Sequence, residues 1–554
     1  MRSPEPAPAS GAPAGGPSAA PAADGPAHPH RPVGLFAAVL AVLIAIGGAY
    51  HFSGTAGQLA SRYVRALAQR NLPFKAQTLT LQRAALRTTD VLPVYGTSEL
   101  YCCAGSFNAG TFFNNAPTGF AVFNVGYPVT EDLFWAETFG ALGHALRGKR
   151  VVVSDSPWFT SGIAPTAYAH TFSPEIALVF TFDSPLPEPL RAAVARRMLD
   201  FPATLRGMPL LSAGLSDLAH GGLRGRSAYL LLDPLGRLDA WLAQLRDAQQ
   251  TILTIDHLAH PLPAKAVLRA VRQAESAAPA QPWWRRALTA AWRHLRALLG
   301  LPAAPAPSLF TLLNRGSSSP PPLNPIVPNR PRSINWNAEL RTATAQVARA
   351  TAGNPFGVLP HQWQTCSDIA PVGGPWCRRA LQLYRAGRTN HDAQVYPIPQ
   401  GWVQGVKRCP CWTDLNLEFQ VLDSVQADAM AWVQPFQGAL ADHTPYSAPA
   451  RRVVYDRYLA IAKADGMPAT TFQTHDTDPL FMDSFGHLSQ RGWVYADRLL
   501  NLFWQGRLGE VRAEMARGGS VDLLFPRSLN CPHPAWCVGV SNVRPLPGEL
   551  ANLP

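Results

Sequence analysis

Val33 to Phe52 read V-G-L-F-A-A-V-L-A-V-L-I-A-I-G-G-A-Y-H-F, about twenty residues with no formal charge. A run of that length crosses a bilayer as one helix, because lipid leaves no other partner for the backbone polar groups. A signal-peptide core is shorter, and no clear A-x-A site follows closely, so the segment reads as an uncleaved anchor. Arg2 and Arg31 precede it and Arg62, Arg65 and Arg70 follow it, so the positive-inside rule orients it only weakly. The eight cysteines supply the orientation. Six fall as the close pairs Cys366/Cys377, Cys409/Cys411 and Cys531/Cys537, all beyond the anchor. Their spacings do not match a zinc site, and disulfides in an oxidising compartment fit them, with free buried thiols as the alternative. The body of the chain is therefore expected on the extracytoplasmic face, periplasmic or outer, of the cell membrane.

The anchor divides the chain unequally. Residues 1–32 are Ala/Pro/Gly/Ser-rich, too poor in large apolar side chains to fold, and read as a disordered cytoplasmic tail. Residues 53–90 are polar and periodic, as in a membrane-proximal helix. Strand-like runs follow at Val91 to Tyr95, Phe120 to Val125 and Arg150 to Val153, with helical spacing from Thr130 to Arg147. From Pro185 to about 300 the pattern is helical. It ends on Trp283 to Leu301, where Trp284, Leu288, Leu295 and Leu298 share one face and four arginines lie elsewhere, which suits an interfacial helix or a packed surface helix. A Pro/Ser-rich linker runs on to about 333. Alternation resumes with a helix at Leu415 to Val425, a strand at Ala429 to Val433, a helix at Ala450 to Ala464 and a last strand in T-T-F-Q-T. Short apolar runs alternating with helices predict an α/β fold around a parallel sheet covered on both faces. The formal charge of +12 favours an anionic partner. No zinc-finger, RNP or helix-turn-helix pattern accompanies it, so a phosphate polymer or a lipid surface is expected, and no nucleic acid.

Chemistry concentrates at two places. V-Y-G-T-S-E puts Ser98 just past a strand C-terminus, where parallel sheets hold their sites. Asp483 to Ala496 reads D-S-F-G-H-L-S-Q-R-G-W-V-Y-A, after the last strand and before a long helical pattern. His487 there can take the serine proton, with a carboxylate fixing its tautomer. The structural alternatives are a strand-ending serine and a helix-capping histidine. Cys102 and Cys103, just past Ser98, read as packing.

G-T-S-E and the late D…H-L-S-x-x-G resemble the first and last blocks of the SGNH/GDSL hydrolase superfamily. V-L-P-V-Y-G-T-S-E-L, V-V-V-S-D-S-P-W-F-T, Y-A-H-T-F-S-P-E, N-P-F-G-V and P-L-F-M-D-S-F-G-H-L-S-Q-R-G-W, in this order, resemble the DltD family of membrane-anchored D-alanyl transfer proteins. The resemblance covers roughly 35–200 and 335–505. It implies an SGNH-like three-layer α/β/α domain in two parts, 53–198 and 335–505. A helical insertion with the Pro-rich linker at 199–334 separates them, and a C-terminal extension occupies 506–554. It also implies D-alanylation of teichoic acid or another envelope glycopolymer, with a membrane-bound O-acyltransferase and an acyl donor as partners; neither cofactor nor metal is expected. Carried over, Ser98 is the nucleophile and His487 the base. Gly126 supplies an oxyanion N–H beside that of Ser98, and Trp158 lines the rim. Glu99 either holds the turn or meets the amine of a D-alanyl group. One departure stands out. The family spaces its acid D-x-x-H, but Ser484 occupies that position and Asp483 lies one residue further off, with Gly486 able to let the loop bulge and Asp478 in reserve. A Ser-His dyad, a non-catalytic adaptor that presents the acceptor to the acyltransferase, and a periplasmic deacylase are the readings left open.

Overall fold

The computed structural model describes residues 31–68, 70–101, 109–115, 118–157, 165–260, 334–351, 382, 386, 406–441, 448–483, 486–510 and 524–530. Residues 1–51 and 52–554 form two compact units. In the first, helix α1 (Arg31–Ala68) begins. It carries a stretch long and apolar enough to cross a membrane, with Phe36, Leu40, Leu43 and Ile44 exposed along it. The expected anchor is thus part of a longer helix. In the second unit the same helix continues with Ala56, Ala60, Val64 and Leu67 buried, and Asp90 receives the Arg65 guanidinium at 2.8 and 2.9 Å.

Five strands follow: β1 (Val91–Gly96), β2 (Ala121–Gly126), β3 (Arg150–Asp155), β4 (Asp428–Val433) and β5 (Ala469–Thr470). All pairs are parallel, in the order β2-β1-β3-β4-β5. The first four expected strands are present to within a few residues, but of T-T-F-Q-T only Thr470 is strand, because Phe472 turns left-handed at φ 47° and Gln473–His475 forms a short 3-10 helix. The main helical elements after α1 are α2 (Leu79–Arg87), α3 (Ser98–Tyr101), α4 (Ala109–Asn115), α5 (Asp132–Leu142), α6 (Pro174–Asp183), α7 (Glu188–Leu199), α8 (Pro209–His220), α9 (Gly222–Ala259), α10 (Trp336–Ala350), α11 (Cys411–Ser424), α12 (Ala448–Ala464) and α13 (Gln490–Trp504).

Strand side chains alternate between faces, and both faces are buried. Val91, Tyr95, Phe123, Val125, Val151, Val153, Ala431 and Val433 join one core with α2, α5 to α9, α11 and α12. Leu92, Val94, Val122, Val152, Met430 and Trp432 join a second core with α4, α10 and α13. The result is the expected helix-rich, three-layer α/β architecture. Tyr95 fastens β1 to α5 through edge-on contacts with Phe139 at 4.8 Å and Trp135 at 5.4 Å. The helices after residue 199 share this core. Leu211, Leu215, Ala240 and Ile255 belong to it, and Asp247 of α9 accepts both the N–H and the hydroxyl of Thr80 at 2.7 Å. Cys409 and Cys411 are joined. Cys102, Cys103, Cys366, Cys377, Cys531, Cys537, Trp158, the N-P-F-G-V stretch and the Trp283–Leu301 helix lie outside the described residues.

Several carboxyls lie deep in the first core. Glu137 of α5 is fully buried and accepts the Tyr168 hydroxyl at 2.5 Å. Burial pushes it up from an ordinary 4.5 to about 8, against the Tyr168 bond. A carboxyl raised on folding contributes stability that is complete below its unfolded pKa and is lost as pH rises through the folded one. Between pH 4.5 and 8 this group alone costs about 1.4 kcal/mol per pH unit. Denaturant unfolding of Glu137→Gln across that range should show a shallower loss of stability with rising pH than the parent shows. An unchanged slope would contradict this.

Candidate active site

The site forms at the C-terminal edge of the sheet, where β1 lies between β2 and β3. This is the topological switch point, since the chain moves one way from β1 to β2 and the other way to β3. Gly96, Gly126 and Ser154 stand side by side in the ladder. One residue past Gly96 the chain turns into α3, with Leu100 N–H bonded to Thr97 O at 3.2 Å. The turn sits directly on the two glycines. A Cβ on Gly126 would come within 2.6 Å of Leu100 Cβ and 2.7 Å of Thr97 O, and one on Gly96 within 2.8 Å of Ser154 O. Only glycine fits such an approach. Ser98, the first residue of α3, is half-buried at the rim.

Glu99 points inward and is 3% exposed. Its Oε1 accepts the Thr97 N–H at 2.8 Å, which cinches the turn from below. Burial pushes its carboxyl up to about 7, opposed by the Thr97 bond and reinforced by the neighbouring Asp155. Of the two roles expected for Glu99, holding the turn is the one its geometry matches. Thr97 contributes in a way the motif did not suggest: its Oγ1 accepts the Ser98 N–H.

His487 arrives from the far end of the chain. Beyond β5, Met482 and Leu488 form an antiparallel bridge, and Asp483 N–H donates to His487 O at 2.9 Å. The helix that follows is capped not by the histidine but by Ser489, whose Oγ accepts from Arg491 N at 3.0 Å and Gly492 N at 3.3 Å. Gly492 lets this first turn close onto the loop, since a Cβ there would meet Phe481 O at 2.5 Å. The imidazole is thereby held at the rim, with Nε2 3.1 Å from Ser98 Oγ across 389 positions of sequence.

Asp483 and His487 are paired through the backbone, and Asp483 is buried at 1% exposure. Ser484 and Phe485 lie outside the described residues. Asp478, the reserve, is engaged elsewhere. It accepts the Arg491 guanidinium at 2.8 Å and the Leu480 N–H at 2.9 Å. Burial alone would raise Asp478, but Arg491 and His475 outweigh it and hold the carboxyl below its usual range. Past Gly126, the Y-P-V-T turn places Val129 at φ 58°, a strained value for a β-branched residue, and Thr130 N–H and Oγ1 fix it by bonding Tyr127 O. Deeper in, Asp132, Asp155 and Glu418 form the one group of carboxyls among the described residues that could hold a metal.

The sequence profile described as DltD protein matches residues 69–294 and 406–505, together more than half of the chain. Protein DltD of Bacillus subtilis (strain 168) is 20% identical over 476 residues, spanning 85% of this chain and 97% of that protein. Both matched segments reach the site, the first bringing Ser98, Gly126 and Asp155 and the second Asp483 and His487. The chain belongs to the DltD family.

Proposed function

We propose that this protein is an extracytoplasmic serine acyltransferase of the SGNH type, acting in the D-alanylation of an anionic cell-envelope polymer. The observation that carries the reading is the 3.1 Å approach of Ser98 Oγ to His487 Nε2 at the switch point of the sheet. Membership of the DltD family supports the D-alanyl assignment, and the basic charge of the chain suits an anionic acceptor. The membrane-spanning segment suits work beside a membrane-bound O-acyltransferase, with the domain after residue 52 on the outer face.

In the acylation step the Ser98 oxygen bonds to the carbonyl carbon of a D-alanyl ester or thioester, and its proton passes to His487 Nε2. The carbonyl electron pair moves onto the carbonyl oxygen, where the N–H groups of Ser98 and Gly126 receive it. Thr97 Oγ1, which holds the Ser98 N–H beforehand, yields to that oxygen. Collapse expels the donor oxygen or sulfur with the proton from His487, leaving a Ser98 acyl ester. An acceptor hydroxyl then repeats the sequence in reverse. Asp483 stabilises the imidazolium and fixes its tautomer. Transfer to water instead of a polymer hydroxyl is the deacylase reading, with the same residues.

A fluorophosphonate probe should label the parent protein at Ser98, and label neither Ser98→Ala nor His487→Ala. Cells carrying Ser98→Ala should lose surface D-alanyl esters. Normal surface alanylation in that strain would leave the adaptor reading, and rapid ester hydrolysis without transfer would favour the deacylase. Asp483→Asn should lower kcat by about 10²–10⁴ with KM little changed, whereas parental rates would reduce the site to a dyad. Gly126→Ala forces the turn off the sheet, so acylation should fall by about 10²–10³, the size of a lost oxyanion donor. Parental acylation rates in Gly126→Ala would remove Gly126 from the site.

A further inference from the structure

Three carboxyl groups meet inside the first core, beside the nucleophile turn. Asp155 ends β3, Asp132 opens α5 and Glu418 lies on α11. One oxygen from each lies within 4.8 Å of the others, and the three residues are 3%, 5% and 0% exposed. The Tyr458 hydroxyl donates to Asp155 Oδ2 at 2.6 Å. Among the described residues, both oxygens of Glu418 and Oδ1 of Asp132 have no hydrogen-bond partner. No Lys or Arg pairs with any of the three among the described residues. The neighbouring Arg197 is committed to Asp414 by bonds of 2.7 and 2.8 Å. A cavity of about 20 Å³ opens against Asp132, Asp155, Ser156 and Tyr458, large enough for a single ion or water.

Uncompensated, three buried carboxylates at this spacing are very costly. Two answers exist: protons or a cation. Protons would satisfy the charge, but they leave both Glu418 oxygens without a bonding partner. A cation satisfies charge and oxygens together. The donors are all oxygen, with neither imidazole nor thiolate among them, which selects a hard ion. Two oxygens bound to one calcium at about 2.4 Å each are at most about 4.8 Å apart, so the trio can close on one such ion with little movement.

We propose that Asp132, Asp155 and Glu418 form a buried binding site for a hard divalent cation, with calcium as the best fit. The cation ties β3, α5 and α11 together immediately behind the Gly96–Ser154 row on which the nucleophile turn rests. The proposal depends on neither the identity of the nucleophile nor that of the acyl group.

The test uses the full chain in detergent, stripped with EDTA, and follows calorimetric binding and thermal unfolding with calcium, magnesium or manganese chloride alone. Calcium should bind with a stoichiometry of one and raise the unfolding midpoint. Glu418→Gln and Asp132→Asn should each weaken that binding on the order of tenfold or more. Asp256→Asn, at an exposed acid elsewhere, should bind calcium as the parent does. Glu418→Gln should also unfold no earlier than the stripped parent, because it removes a buried charge without opening a cavity. Absence of binding by the parent for all three ions would overturn the proposal, leaving the trio protonated. Parental calcium affinity in both Glu418→Gln and Asp132→Asn would overturn it too. Should either variant fail to fold, binding by the parent chain and by the other variant still decides.

Discussion

The row Gly126–Gly96–Ser154 at the C-terminal edge of the sheet is the constraint on which the site depends. Parallel pairing sets these three backbones side by side, and the absence of side chains on two of them lets the Thr97–Leu100 turn rest on the sheet itself. A turn seated on backbone has little room to shift, so Ser98 inherits the rigidity of the ladder. Glu99 completes the seat from inside through the Thr97 N–H. The serine is thus presented by packing and hydrogen bonds already formed in the folded chain, as pre-organised sites require.

His487 reaches that seat by a different device. Two backbone bonds, Asp483 N–H to His487 O and Ser489 N–H to Phe481 O, flank the Met482–Leu488 bridge, and a serine cap and a closely approached glycine fix the following helix beneath it. Arg491, on the same helix, is anchored by Asp478 and by Thr344 of α10 at 3.0 Å. His487 is therefore held by the second core, while the Ser98 turn rests on the sheet. Their meeting at 3.1 Å depends on both layers packing to the same sheet.

Much of this was legible in the residues. The strands announced themselves as short apolar runs, because strands buried on both faces show no alternation to obscure them. Ser98 and His487 carried local signals in G-T-S-E and H-L-S-x-x-G, and the glycine of the second motif has a steric reason in Phe481 O. Other features had no local signal. The direction of Glu99 follows from the depth of the turn rather than from its spacing. The backbone pairing of Asp483 with His487 follows from the hairpin and not from the spacing of the residues. The trio Asp132, Asp155 and Glu418 comes from three elements spread over nearly three hundred positions, so no spacing rule could collect it.

The central claim is that Ser98 carries the acyl group. Peptide mass mapping of acid-quenched protein after brief exposure to a D-alanyl thioester tests this most directly. One D-alanyl adduct is expected, on the peptide holding Ser98, present in the parent and absent from His487→Ala. An unmodified Ser98 peptide alongside continuing transfer to the acceptor would contradict it.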